Sequence, residues 1–173
     1  MEPHPLADPW TLYAHHTSDA ATYRASFTPL ATVTTVEEWA RLWNHVHVPD
    51  LCLNAREIRV SGQRVQTWSY FRGAARPEWE DPANAGGATL ALRAHLSPHV
   101  ARSHWTALIV DATRGAAPPA LVGVQLVHKP GRGSAAHVRF ELWLAGGADA
   151  AHARAWARAL LGADFAPAPR GGR

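Results

Sequence analysis

The chain has 173 residues, 17 Lys and Arg against 14 Asp and Glu, and a formal charge of +3. That length fits one domain with a real core, and so mild a charge excess excludes wrapping a long duplex while allowing contact with a few phosphates. One cysteine, Cys52, excludes an internal disulfide and fits a reducing compartment. Neither a basic-then-apolar leader nor an apolar run of membrane-spanning length occurs, so the chain reads as soluble and intracellular. Eight Trp against three Tyr is the larger anomaly, because Trp serves either as a core anchor or as a flat binding surface.

In chain order, His4-Pro5-Leu6 is an extended lead-in and Trp10 to Ala14 alternates as a strand. A turn at Thr17-Ser18-Asp19 leads to a second strand from Thr22 to Phe27, with Tyr23 near its start. Thr34 or Thr35 caps a helix with Glu37 and Glu38 in its first turn. Val36, Trp39, Leu42 and Trp43 share one face of it, and Pro49 stops it near His45. Residues 47–64 are weakly patterned, with a short hairpin expected around Arg56 to Val60. Val65 to Phe71 is a strand leading into the loop Pro77-Glu78-Trp79-Glu80-Asp81, and Thr89 to Arg93 is another. Ser97-Pro98 opens a second helix, whose inner face is expected at Val100, His104, Ala107 and Leu108. Strands Leu121 to His128 and Val138 to Leu144 flank a glycine-rich basic turn. Asp149 caps a third helix that Gly162 ends. Residues 1–165 then form a single domain, and 166–173 read as a disordered tail. Dispersed helices among dominant strands predict an α+β fold, an antiparallel sheet with helices on one face.

Few chemical motifs stand out. The eleven histidines lack the paired spacing of a zinc site, so no metal is expected. There is no nucleophile elbow, P-loop or dinucleotide fingerprint, and Cys52 between two leucines reads as a buried thiol. No catalytic residue and no cofactor is assigned. The loop is different: Pro77 and Pro82 fence it from regular structure, and it sets a π surface at Trp79 beside the Glu80 carboxylate. Together with Tyr23, Trp143 and the basic residues Lys129, Arg132 and Arg139, that combination suits a nucleotide or single strand, by stacking and point charge. The alternative is that the tryptophans are core and the basic hairpin is merely solvated.

Three groups of residues carry a resemblance. They are His4-Pro5-Leu6 with Trp10 and Leu12, the helix Thr35-Val36-Glu37-Glu38-Trp39 with Leu42 and Asn44-His45, and Trp79-Glu80-Asp81 followed by Gly86-Gly87. At this spacing, from His4 to about Phe165, the chain resembles the translation initiation factor 4E family of mRNA cap-binding proteins. The resemblance implies a strongly curved antiparallel sheet backed by three helices, with 7-methylguanosine held on its concave face. It implies a sandwich between Tyr23 and Trp79, base recognition by Glu80, and Trp143 beside the N7-methyl. Lys129, Arg132 and Arg139 would meet the phosphates. It also implies a partner surface of His4, Pro5, Leu6, Val36, Trp39, Ala40, Thr106 and Val110 for an initiation scaffold of the 4G type or a 4E-binding repressor. The protein would be a cytoplasmic monomer binding capped mRNA, with nuclear residence open and no membrane. It would act as an initiation factor or as a cap-occupying decoy; a general single-strand RNA or protein module without cap selectivity is the reading outside the family. The chain departs from the family pattern at Ala40, where a Trp is usual, and at Thr106 and Ala107, where Leu and Glu are usual. It also departs in an insertion within 47–64, in a lengthened hairpin around Arg132, and in stopping soon after Phe165.

Overall fold

The computed structural model describes residues 2–16, 26–46, 59–60, 62–129 and 137–168, with positions 59, 63, 64, 98, 129 and 137 as backbone only. Eight antiparallel strands and three α-helices are found among them. The strands are β1 (Pro5–His16), β2 (Phe27–Thr35), β3 (Arg59–Val60), β4 (Gln63–Arg72), β5 (Ala88–His95), β6 (Leu121–Lys129), β7 (His137–Leu144) and β8 (Ala166–Pro167). The helices are α1 (Val36–His45), α2 (Pro98–Thr113) and α3 (Ala150–Leu161). The sheet order is β2-β1-β4-β6-β7-β5-β8, with β3 paired to β4. The fold is the expected α+β one, a curved antiparallel sheet with the three helices on one side.

Local chemistry sets the helix ends. Thr35 Oγ1 accepts from the Glu38 N–H at 3.2 Å, while the Glu38 carboxylate accepts from Thr34 N at 2.7 Å and Thr34 Oγ1 at 2.8 Å. This reciprocal arrangement satisfies donors that the first helical turn leaves open. Ser97 Oγ accepts from Val100 N, with Pro98 in the first turn. Asp149 accepts from Ala151 N and His152 N, and Gly162 closes α3 in the left-handed conformation.

The strands alternate, and one set of side chains from each forms the helix-side core. Trp10, Leu12 and Ala14 of β1, Trp68 and Tyr70 of β4, Val124 and Leu126 of β6, and Val138, Phe140 and Leu142 of β7 meet Trp105, Leu108, Ile109 and Ala112 of α2. Trp10 stacks on Tyr70 at 5.0 Å. Ala153 and Ala157 are buried on α3. Trp156 Nε1 donates to Asp111 Oδ2 at 3.1 Å, tying α3 to α2.

Three local expectations are corrected. β2 runs on to Thr35 through Pro29, because it is an edge strand and an edge position tolerates the missing N–H. The inner face of α2 is Ala101, Trp105, Leu108, Ile109 and Ala112; Val100 is exposed, since Trp105 is the largest fully buried side chain and sets the rotation of the helix. Ala166 and Pro167 pair with Ala91 and Leu90, so these two residues belong to the sheet rather than to a tail. Residues 22–25 of the expected second strand and the hairpin residues 56–58 lie outside the described residues, while Phe27 opens β2.

Replacing Thr35 with Ala removes the cap and should lower stability by about 1 kcal/mol. Urea unfolding followed by tryptophan fluorescence reads this directly, and an unchanged midpoint would contradict the capping role.

Candidate nucleic-acid interface

The face of the sheet away from the helices carries a second, smaller cluster of Tyr13, Phe71, Ala75, Val122 and Trp143, with Trp79 packed against it. Its placement follows from β-strand alternation. On β7, Val138, Phe140 and Leu142 point to the helices, so Arg139, Glu141 and Trp143 share the opposite face. Phe71 lies over β6 at Gly123, where an added Cβ would stand 2.6 Å from the Phe71 ring. Phe71 meets Trp143 edge-on, with ring centroids 5.4 Å apart.

The loop after β4 brings Trp79 onto this cluster. Its backbone is clamped by two side chains. Asn84, itself buried, donates through Nδ2 to the carbonyls of Arg76 and Glu78, both at 2.7 Å. Asp81 accepts from Ala83 N at 2.9 Å and from Arg76 N at 3.3 Å, capping the 3-10 turn Pro82–Asn84. Arg76 pairs with the mostly buried Glu78 at 2.9 Å. Gly87 then passes so close to Leu144 that a Cβ would stand 2.0 Å from its carbonyl oxygen. The loop is therefore rigid for reasons beyond its prolines.

Held this way, the Trp79 ring lies face-on over Trp143, centroids 3.7 Å apart and planes 19° from parallel. Trp143 is only 3% exposed as a result. Its Nε1 donates to Glu141 Oε2 at 3.1 Å. The other Glu141 oxygen forms an ion pair with Arg139 Nε at 2.8 Å. Burial pushes the Tyr13 phenol up from its ordinary value, the Arg76 guanidinium opposing the shift. Further along β1, burial and the neighbouring His16 lower His15 to about 4, so this ring, stacked on Phe27 at 4.2 Å, is neutral near pH 7.

Of the residues singled out from sequence, Trp79, Trp143 and Arg139 come together, and Glu80 stands exposed next to Trp79 at the loop tip. Tyr23 and Arg132 lie outside the described residues, and Lys129 is placed by its backbone alone, at the end of β6 opposite His137. Glu141 was missed. Its signal was Glu-x-Trp on an alternating strand, which puts a carboxylate beside the indole on the same face.

On the helical side, His4 and α1 are joined: Glu37 accepts from His4 N at 3.1 Å and its other oxygen lies 2.7 Å from His4 Nδ1. Val36 N donates to the His4 carbonyl at 2.9 Å. Val36 is 48% exposed, His4 and Pro5 are exposed, and Leu6, Ala40, Thr106 and Val110 are half-buried. Trp39 turns inward, stacking on Trp43 with centroids 5.6 Å apart. Together with Trp105 and Ile109 these rings line a shallow apolar cleft between α1 and α2.

The comparisons agree with this architecture. Residues 5–159 match the family described as eukaryotic initiation factor 4E. The chain belongs to that family. Among curated relatives, translation initiation factor 4E-1 of Cucumis melo is 32% identical over 89 residues, 50% of this chain and 34% of that protein. Factor 4E1 of Drosophila melanogaster is 30% identical over 84 residues, 49% and 29% of the two chains. The match thus spans about a third of the length of these curated relatives. A schistosome eIF4E solved with m7GpppA and 4E-BP superposes with a TM-score of 0.74 at 19% identity, covering 99% of this chain and 95% of its own. Ascaris suum eIF4E-3 solved with an m7G cap gives 0.76 at 16% identity, covering 99% and 94%. At these identities the likeness is one of fold.

Two predictions follow from the contacts. Glu141→Ala leaves the Trp143 N–H without its acceptor and should cost about 1–3 kcal/mol, whereas Glu141→Gln retains an acceptor and should cost less. Urea titration with near-UV circular dichroism of the tryptophans checks both; equal losses would show that the hydrogen bond contributes little. The hydrogen bond from His4 holds the Glu37 carboxyl down to about 2 from 4.5. Because the folded value is the lower one, this contact favours the folded state above about pH 4.5 and is lost as pH falls toward 2. An NMR titration of Glu37 should show the low midpoint, and His4→Ala should raise it part of the way, since the backbone N–H donors remain.

Proposed function

We propose that the chain binds the 7-methylguanosine cap of mRNA and acts in translation initiation as a cytoplasmic binding protein with no reaction of its own. The observation that carries this reading is the clamped loop, which seats Trp79 against Trp143 and holds Glu80 beside it, with Arg139 four residues before Trp143 on the same face of β7. Family membership and the cap ligands of the schistosome and Ascaris relatives support it.

Methylation at N7 makes guanine cationic, so electron-rich rings gain a cation–π contribution above ordinary stacking. Trp79 supplies one ring and Tyr23 the other, a smaller one than the Trp usual at that position. Glu80 accepts from the N1–H and the exocyclic amine together, a charge-assisted pair of bonds that other bases do not offer. The Trp79 backbone N–H donates to O6. Trp143 reaches the N7-methyl only when Trp79 swings off it, so binding exchanges one stack for another. Losing the Trp79–Trp143 pair costs about 0.5–1.5 kcal/mol. New stacking returns about 1–3 kcal/mol per ring, and charged hydrogen bonds about 1.5–3 each. Less the ordering costs, the sum corresponds to roughly micromolar affinity for a small cap fragment. Lys129, Arg132 and Arg139 take the phosphates; the Glu141 pairing tempers the charge of Arg139.

On the opposite side, His4, Pro5, Leu6 and the exposed Val36 offer a docking edge for a scaffold or repressor helix. Ala40 and Thr106 leave it without large anchors, and Trp39 is spent in the α1–α2 cleft, so selectivity among such partners is altered. A scaffold docked there makes the protein an activator; cap occupancy without one makes it a decoy.

Retention on 7-methyl-GTP resin, with release by free cap analogue but not by GTP, is the expected result. Glu80→Ala should weaken that binding about 10- to 100-fold. Unchanged retention of Glu80→Ala would overturn the site, and equal release by GTP would favour structural tryptophans and a module without cap selectivity.

A further inference from the structure

Beyond the pocket, the same face of the sheet carries a basic band. β5 and β7 pair residue for residue: Arg93 stands opposite Arg139 and His95 opposite His137. On the far side of β7, Lys129 of β6 stands opposite His137 as well. The register Thr89 to Trp143 and Ala91 to Glu141 puts Arg93 and His95 in line with the aromatic cluster, two and four residues further from Trp143 than Glu141 is along the neighbouring strand. Both are exposed, while Thr89 and Ala91 are buried.

Like charges directly across a strand pair are destabilising. The three strands β5, β6 and β7 contain one carboxylate between them, Glu141. It is engaged by Arg139 and Trp143. Arg93 therefore faces a like charge whose compensation is already committed, and His95 is the next exposed residue along the same face of β5. An anionic strand laid across Arg93 and Arg139 supplies the charge that this pair lacks, and rows of side chains on one face recur about every 7 Å, a spacing that matches an extended ligand and not a compact ion. The band also starts where the cap phosphates leave the pocket, at Arg139.

We propose that Arg93 and His95 form a track for the RNA backbone, taking the phosphates of the nucleotides that follow the cap. The track rests on the cap reading for its direction but not for its chemistry, which is sequence-independent phosphate contact. It gives β5, a strand with no part in the pocket, a role in holding the body of the message.

The test compares 7-methyl-GTP, a short capped oligoribonucleotide and the same oligoribonucleotide without its cap, by fluorescence anisotropy over a salt series. Wild type should bind the capped oligonucleotide more tightly than 7-methyl-GTP. Arg93→Gln should weaken the capped oligonucleotide about threefold to tenfold and lower the salt slope by about 0.7, the single-strand value for one phosphate. Adding His95→Gln should extend the loss, and 7-methyl-GTP binding should be unchanged in both variants. Circular dichroism confirms that the variants are folded. No gain from the appended nucleotides in wild type, or no effect of the variants, overturns the track while leaving the cap reading intact. An equal loss for 7-methyl-GTP also overturns it, placing Arg93 in the pocket. If capped and uncapped oligonucleotides bind alike and both depend on Arg93, the track stands and the cap reading falls. If an acidic peptide of equal charge competes as well as the uncapped oligonucleotide, the band is a protein-docking surface and the proposal fails.

Discussion

The pleat of β7 divides the molecule. Val138, Phe140 and Leu142 fall on one side and enter the helix-backed core, so Arg139, Glu141 and Trp143 must fall on the other. A shift of one residue in this register would move the indole and the guanidinium into the apolar core and expose Phe140. The dense packing of the first side thus fixes the placement of the second. Trp105, Leu108 and the strand residues that meet them act on the site without touching it.

Rigidity is then added from outside the strand. The Asn84 amide and the Asp81 carboxylate hold the backbone of the loop, so the main chain that carries Trp79 and Glu80 is fixed in place. Glu141 does the equivalent for the indole of Trp143. The face-on contact of Trp79 and Trp143 has an opposite consequence. It protects a large apolar surface from water, and on the proposed cap reading it has to open before the inner indole can meet the base.

Much of this was legible in the residues. The three helices were marked by their caps, Thr35, Ser97 with Pro98, and Asp149 with Gly162, because capping is a local matter. The loop stood out because a tryptophan between carboxylates and prolines is locally unusual. What escaped depended on long-range packing. Pro29 hid the continuation of β2, since only its edge position makes proline acceptable there. The rotation of α2 was set by Trp105 finding the sheet, and Val100 was left in solvent. The stacking of Trp79 on Trp143 required the registers of β4, β6 and β7 together, and Glu141 gained meaning only from its two partners. Ala166 and Pro167 were assigned to a tail by composition, whereas backbone pairing with β5 depends on what Phe165 does in the core.

Where a methylated base sits on the chain decides whether Trp79 and Trp143 form the proposed site. Intermolecular nuclear Overhauser effects between the N7-methyl protons of bound 7-methyl-GDP and the indole protons of the chain test this most directly. Effects to both Trp79 and Trp143 are predicted, accompanied by shifts of the Glu141-bonded Trp143 N–H. Effects confined to residues outside this cluster, or a methyl signal that shows no transfer at saturating protein, would contradict it.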